Sequence, residues 1–116
     1  MPRALRVFFG LFLAVALGLA AGPGFRSRKL FDEHYQKHGR EFGNVTQAEY
    51  LRLAQQLRDT PKGGPIQEID KPGGIVTKFD RRSKAFGAYN RDGTIRTFFI
   101  PNDGERYFIR QGNRPD

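Results

Sequence analysis

His34 and His38 are the residues of this sequence best suited to catalysis, because histidine exchanges protons close to neutral pH. They are the only two histidines, they lie four positions apart, and Lys37 stands between them. Side chains four apart meet on one face of a helix, so both rings can serve one site. His38 is the first choice of the two, since the Gly39 that follows it would end the helix and open it onto a loop.

This pairing suits the cleavage of RNA without a metal ion. One group must remove the proton of the 2′-hydroxyl, cations must stabilise the charged phosphorane, and an acid must protonate the leaving 5′-oxygen. Either histidine can act as the base or as the acid. The candidate phosphate ligands are the basic residues Lys37, Arg40, Arg96 and Arg110. The hydroxyl of Thr97 can donate a further hydrogen bond to a phosphate oxygen.

Each histidine also suits a purely structural position. His34 fits a partly buried place on a helix, and His38 fits a cation at a helix C-terminus, where the dipole favours positive charge. A shared zinc ion would need a third protein ligand, and only Glu33 and Glu41 lie close in the sequence. The chain has no cysteine, which excludes thiolate metal sites and thiol catalysis. We therefore expect no metal ion and no other cofactor.

The start of the chain has the pattern of an export signal. Arg3 and Arg6 precede an apolar run from Val7 to Ala20, which is shorter than the roughly 20 residues that span a bilayer. This pattern predicts a signal peptide over residues 1–22, cleaved near Ala20, and one secreted or periplasmic domain over residues 23–116 with no permanent membrane anchor. The lack of disulfides points to a bacterial export route.

The charge of the chain favours a polyanionic partner. The 116 residues include 20 basic and 12 acidic side chains, a net charge of +8. Loss of Arg3 and Arg6 with the leader would leave +6 on the exported domain. A field of that sign concentrates RNA, DNA or anionic lipid near the surface.

A helical pattern from about Arg28 to Gln56 predicts two helices. The first helix is predicted by apolar and aromatic residues at three- and four-residue spacings, namely Leu30, Phe31, His34, Tyr35 and His38, and it should stop near Gly39. The second should begin at Thr46, where Glu49 completes a capping box. Its core-facing stripe is Tyr50, Leu53, Ala54 and Leu57, and Asp59-Thr60-Pro61 should end it.

Strands are expected in the second half of the chain. Residues 61–74 are rich in proline and glycine and predict a loop. Short β-branched or aromatic runs follow at residues 75–79, 85–89, 94–100 and 106–110, with turn residues between them. The short connections favour antiparallel hairpins. We therefore predict an α+β fold with two N-terminal helices packed on an antiparallel meander of about four strands.

Alternation along the third of these strands separates two candidate site residues. Thr97 should face the same way as Ile95 and Phe99, whereas Arg96 should point to the opposite side. Both can reach one cleft only if a bulge or the sheet edge intervenes. Otherwise only one of the two serves the site, and if that residue is Thr97, the cation must come from Lys37, Arg40 or Arg110.

Several short motifs in this order resemble a known family. They are Lys-His-Gly at 37–39, Glu-Phe-Gly at 41–43, Glu-Tyr-Leu at 49–51, Phe-Gly at 86–87 and Asp-Gly-Thr-Ile-Arg-Thr-Phe-Phe-Ile-Pro at 92–101. Together, over roughly residues 30–110, they resemble the toxin domains of the barnase/EndoU/colicin/RelE-like (BECR) ribonuclease superfamily. Such domains occur at the C-termini of contact-dependent inhibition and polymorphic toxins.

The resemblance implies a metal-independent endoribonuclease, often acting on tRNA, with N-terminal helices against an antiparallel sheet. It also implies a cognate immunity protein as a partner, and it favours Thr97 over Arg96 as the site residue, because the resemblance rests on Thr97. In related domains an aromatic hydroxyl can follow the threonine two residues on, and here that position is Phe99. If a tyrosine is required, Tyr107 on the next predicted strand is the candidate.

A second hypothesis from another class uses the same basic surface. On it, the chain is a noncatalytic exported module that binds polyanions or a protein partner. The two differ in what a change of histidine would do, because an enzyme loses turnover abruptly while a binding module loses affinity gradually with each cation removed.

Overall fold

The computed structural model describes residues 22–115, so nearly all of the predicted signal peptide lies outside the described residues. The helices are α1 (Arg28–His38), α2 (Gln47–Asp59) and α3 (Glu105–Gly112), with short 3-10 turns at Gly39–Phe42 and Pro72–Gly74. The strands are β1 (Ile66–Asp70), β2 (Val76–Asp80), β3 (Phe86–Tyr89) and β4 (Ile95–Phe99). Within this part of the chain, no helix is long and apolar enough to cross a membrane.

The four strands form one antiparallel sheet in the order β1-β2-β3-β4, which confirms the predicted α+β meander. The prediction of a loop over residues 61–74 was wrong in part, because β1 lies inside it. That strand is mostly polar, and its two isoleucines, Ile66 and Ile69, pack into the cores on opposite faces of the sheet. The strand was missed in the prediction because its apolar pattern is weak and the surrounding glycines and prolines are typical of a loop.

The prediction of a strand at residues 106–110 was also wrong, because this segment is helix α3. The run of Tyr107, Phe108 and Ile109 favours a strand by composition. In the structure, however, Phe108 is buried and stacks on Phe79 of β2 at 5.8 Å, while Ile109 is exposed. Burial on one side only is the pattern of an amphipathic helix, and this packing overrides the local preference.

Helix α2 covers one face of the sheet. The predicted stripe contributes Tyr50, Ala54 and Leu57 to a core that also contains Tyr89, Ile95 and Phe98 from the strands. Two buried tyrosine hydroxyls fasten these layers, since Tyr50 Oη donates to the carbonyl of Phe98 and Tyr89 Oη donates to that of Ala54 at 2.8 Å. Burial raises the pKa of both phenols, which therefore stay neutral hydrogen-bond donors.

The predicted helix boundaries follow from local capping. Thr46 Oγ1 accepts from the Glu49 amide at 3.1 Å and Glu49 Oε1 accepts from the Thr46 amide at 2.8 Å, which confirms the capping box. The first helix ends at His38, as predicted, and Gly39 begins the 3-10 turn. A Cβ at Gly39 would lie 2.7 Å from the Tyr35 ring, so only glycine fits this close approach.

A second, smaller core lies on the opposite face of the sheet. It contains Phe79, Phe86 and Ala88 from the strands and Phe108 from α3, and α3 covers only one end of this face. Helix α1 instead packs along the edge formed by β4. The segment before it is joined to the same edge, because the Ile95 amide donates to the carbonyl of Gly24 at 2.9 Å. The uncovered part of the second face therefore lies between α1 and α3.

Lys78 on β2 is buried on the α2 side, with 3% of its surface exposed. Its Nζ donates to the carbonyls of Arg58, at 3.0 Å, and Thr60 at the end of α2, and lies 3.4 Å from Glu68 Oε1 on β1. The ammonium thus satisfies carbonyls that the helix itself leaves unpaired. This one side chain ties the end of α2 to the first two strands.

We predict that Lys78→Met lowers the free energy of unfolding by about 2–4 kcal/mol, because it leaves two carbonyls and a half-buried carboxylate without their donor. Urea unfolding followed by circular dichroism measures the change. The control is Lys62→Met at an exposed lysine, for which we expect a change within about 0.5 kcal/mol. Equal losses for the two variants would contradict the role of Lys78.

Candidate functional site

A β-bulge in β4 determines which side chains reach the uncovered face. Tyr89 pairs with Ile95 and Ala88 pairs with Thr97, so Arg96 is an extra residue in the strand. The predicted alternation was therefore wrong for Ile95, which enters the α2-side core together with Phe98. Thr97 and Arg96 both line one pocket on the other face. A bulge was one of the two conditions under which both residues were expected to reach the same cleft.

The first of two neighbouring pockets is the histidine pocket, an open depression of about 460 Å³. Its lining residues are Glu33, His34, Lys37, His38, Thr97 and Phe99. Helix α1 supplies the first four from successive turns, and β4 supplies the other two. Both histidines, one predicted cation and the predicted threonine thus lie around one depression. Their catalytic roles stay predictions.

His38 is held on both its ring face and its ring edge. Its ring stacks on Phe99 with the centroids 4.9 Å apart, and Nδ1 lies 2.8 Å from Glu41 Oε2. A carboxylate only accepts hydrogen bonds, so Nδ1 carries the proton in this contact and Nε2 is left for exchange with a ligand. The ring is 15% exposed, which leaves it reachable but with little freedom to rotate.

Glu41 connects this histidine to the sheet. While Oε2 accepts from His38, Oε1 accepts from the amide of Ile100 at 2.8 Å, directly after β4. The same carboxylate therefore fixes the ring and the distance between α1 and the strand. From the sequence, Glu41 was a candidate metal ligand and part of the Glu-Phe-Gly motif, but its contact with His38 was not predicted. Its spacing of three residues from His38 was the available signal.

His34 lies one turn earlier, and its ring is packed rather than hydrogen-bonded. It stacks on Phe25 at 5.0 Å, its centroid is 6.1 Å from that of His38, and Nδ1 is buried without a partner in the described part of the chain. Burial, then the nearby His38 and, more weakly, Lys37, lower the pKa of His34 against an opposing effect of Glu33. The lowered pKa favours the neutral form of His34, which is the form that can accept a proton.

The second depression, the helix–sheet pocket, has a volume of about 400 Å³ and lies between the open sheet face and α3. Its lining includes Lys71, Thr77, Arg96, Thr97, Tyr107 and Gln111. Thr97 also lines the histidine pocket, so the two depressions meet at this residue. Phe99 of the first pocket packs against Tyr107 of the second, with centroids 5.3 Å apart.

The remaining predicted site residues lie in different places. Tyr107 is on α3 rather than a strand; it packs edge-on against Phe86 at 5.0 Å and lines only the helix–sheet pocket. Arg110 pairs with Asp103 at 2.9 Å and lies over the Tyr107 ring, and it lines neither pocket. Arg40 lines a separate depression on the far side of the 3-10 turn.

No protein-family model matches the sequence, and no curated protein matches it significantly. The fold and the site therefore define the class only as an α+β domain with a paired-histidine pocket on a half-covered antiparallel sheet. Over residues 22–115, no three metal-ligating side chains of the histidine, cysteine or carboxylate type lie close enough to hold an ion together.

We predict that acid destabilises the protein partly through His34. The pKa of His34 is lower in the folded than in the unfolded chain, so protonation of this ring favours unfolding. The stability that goes with the neutral ring is fully present above about pH 6.5 and is lost as the pH falls through the folded pKa. In His34→Gln the drop in melting temperature from pH 7.5 to pH 5.0 should be smaller than in the parent. Calorimetry at both values tests this, and an equal drop in both proteins would contradict it.

Proposed function

We propose that this protein is a metal-independent endoribonuclease that cleaves RNA by attack of the 2′-hydroxyl on the adjacent phosphate. The observation that carries the proposal is the meeting of His34, His38 and Thr97 around one open pocket. Two imidazoles in different environments can act as base and acid in one reaction. The neighbouring cations Lys37 and Arg96 suit a phosphate that becomes more negative during that reaction.

The environments of the two rings suggest their roles. His34, whose lowered pKa favours the neutral form, accepts the proton of the 2′-hydroxyl. The 2′-oxygen then forms a bond to phosphorus, and the bond from phosphorus to the 5′-oxygen breaks. His38 acts as the acid in its doubly protonated form, in which Nδ1 donates to Glu41 and Nε2 gives its proton to that leaving oxygen, so the ring ends neutral. The products are a 2′,3′-cyclic phosphate and a 5′-hydroxyl.

Charge stabilisation comes from the strand and from α1. The Thr97 hydroxyl lies at the junction of the two pockets, where it can donate to a non-bridging oxygen of the phosphorane. Lys37 lines the histidine pocket from the last turn of α1. The bulge places Arg96 beside Thr97 in the lining of the helix–sheet pocket. Glu41 and Phe99 act as positioning residues, since both contact the His38 ring.

The resemblance to BECR toxin domains supports the same reaction and supplies the biological part of the proposal. It favours tRNA as the substrate and a cognate immunity protein as the partner. The apolar leader favours export to the periplasm or the medium. Arg40 and Arg110, which lie outside both pockets, would contact RNA only as part of a wider basic surface.

We predict that the domain beginning at Gly22 cleaves total tRNA in excess EDTA and leaves 2′,3′-cyclic phosphate ends. Loss of the proton-transferring ring in His38→Ala should slow cleavage by at least about 100-fold. His38→Asn retains a donor close to the position of Nδ1 but cannot titrate, so it should be equally slow while keeping the contact with Glu41. Circular dichroism checks that both variants fold.

The control for this experiment is Lys62→Ala, an exposed lysine that lines neither pocket and should cleave at the rate of the parent. Unchanged cleavage in both histidine variants would contradict the proposed site. Absence of cleavage by the parent, with RNA binding that weakens steeply with salt, would instead identify a noncatalytic polyanion-binding module.

A further inference from the structure

The helix–sheet pocket has a floor built across three strands. Thr77 of β2, Ala88 of β3 and Thr97 of β4 are successive register partners on one face of the sheet. Because the side chain of Ala88 is small, the pocket is deepest at the centre of this row. On the same strand, the neighbouring position on this face is filled by Phe86, which packs under Phe108. The depression therefore begins where the aromatic packing of α3 stops.

Thr77 is the unusual member of this floor. The residue is only 3% exposed, and its Oγ1 has no hydrogen-bond partner among residues 22–115. A buried hydroxyl without a partner destabilises a fold, and valine would occupy the same space without that penalty. The packing of the domain therefore does not explain a threonine here, whereas a ligand in the pocket that bonds to the hydroxyl does.

The rim of the pocket carries a different chemistry. Arg96 from the bulge, Arg114 after α3 and Lys71 after β1 line it, and among residues 22–115 no acidic side chain lines it. Lys71 Nζ donates to the carbonyl of Gln111 at 2.9 Å, which joins the turn after β1 to α3. A positively charged rim around a partly apolar floor suits a ligand with an anionic group and a flat polar ring.

We propose that the helix–sheet pocket is a base-binding subsite that takes the nucleotide next to the scissile phosphate. In this arrangement, which rests on the proposed ribonuclease function, the base edge bonds to the Thr77 hydroxyl, and the 3′-phosphate of the same nucleotide, which is the scissile phosphate of an intact strand, contacts Arg96. The volume of about 400 Å³ lies within the roughly 300–1,000 Å³ of small-molecule sites. Thr97 belongs to both pockets, so one RNA strand passes from the histidines into this subsite.

The test uses the four nucleoside 3′-monophosphates as probes of the domain labelled at alanine and threonine methyl groups. Titration by NMR should show saturable shifts at the Ala88 and Thr77 methyls, with one base bound more tightly than the other three. Thr77→Val should reduce this discrimination to less than about threefold, since one hydrogen bond is lost. Its melting temperature should not fall, because the hydroxyl has no partner in the free protein.

A second variant separates the two contacts. Arg96→Gln should weaken all four nucleotides by a similar factor, since a phosphate contact carries no information about the base. The matched control is Arg106→Gln on the exposed side of α3, which lines no described pocket and should bind as the parent does. Undiminished discrimination in Thr77→Val, or no shift at Ala88 with any nucleotide, would overturn the subsite.

These outcomes are independent of the cleavage assay. A domain that binds one nucleotide selectively through Thr77 but cuts no RNA would refute the ribonuclease function and keep the subsite. A domain that cuts RNA but shows no shift at Ala88 would keep the ribonuclease function and refute the subsite. His38→Asn should retain the nucleotide shifts at Ala88, because that methyl lies on the other side of Thr97 from the histidines.

Discussion

The β-bulge at Arg96 is the constraint on which the candidate site depends. It lets β4 place Ile95 and Phe98 in the core under α2 while Thr97 and Phe99 face the opposite side. In a regular strand, Ile95 and Phe98 would point to opposite faces, and one of them would leave the core. The cost of the interrupted ladder is therefore offset by apolar burial, and a pair of polar side chains gains access to the open face.

Around the two histidines, helix α1 and the 3-10 turn that follows it are held against this strand. Glu41 joins His38 to the amide of Ile100, and the ring of His38 stacks on Phe99. His34 is held by packing against Phe25, which itself pairs with Ile95 at the sheet edge. The elements that support the site are thus the same elements that close the edge of the sheet, so fold and site share their determinants.

Three polar side-chain atoms are buried without a partner in the described residues, namely Nδ1 of His34, Oγ1 of Thr77 and Oε1 of Gln67, and the first two belong to residues that line the two pockets. Folds retain such atoms at a cost in stability, and they cluster at functional sites. By contrast, the buried Lys78 on the other face is fully engaged by carbonyls and by Glu68. The face covered by α2 is therefore organised for stability, whereas the open face keeps unpaired groups.

Much of the fold follows from local sequence. The capping box of Thr46 and Glu49 and the stop at Gly39 set both N-terminal helices, and three of the four strands were predicted within one residue at each end. Strand β1 and helix α3 were missed, because their state depends on pairing with β2 and on the burial of Phe108 rather than on composition. Long-range packing of this kind leaves no local signal.

The candidate site was foreseen only in part. The spacing of His34 and His38, with the resemblance at Thr97, indicated residues that the structure brings together. The bulge that turns Arg96 to the same face has no sequence signature here, and Thr77 reads as an ordinary strand residue. Its significance follows from its register with Ala88 and from the end of α3 coverage, neither of which is a local property.

The most direct measurement uses the fact that the chain has only two histidines, and hence two imidazole Hε1 signals in an NMR spectrum. The probe is a short single-stranded RNA in which every 2′-hydroxyl is methylated, so that it can bind but cannot be cleaved. If the histidine pocket receives the scissile phosphate, both signals shift with one binding constant, and an excess of EDTA has no effect. If RNA binds and neither imidazole signal moves, the pocket is not the site and the account is wrong.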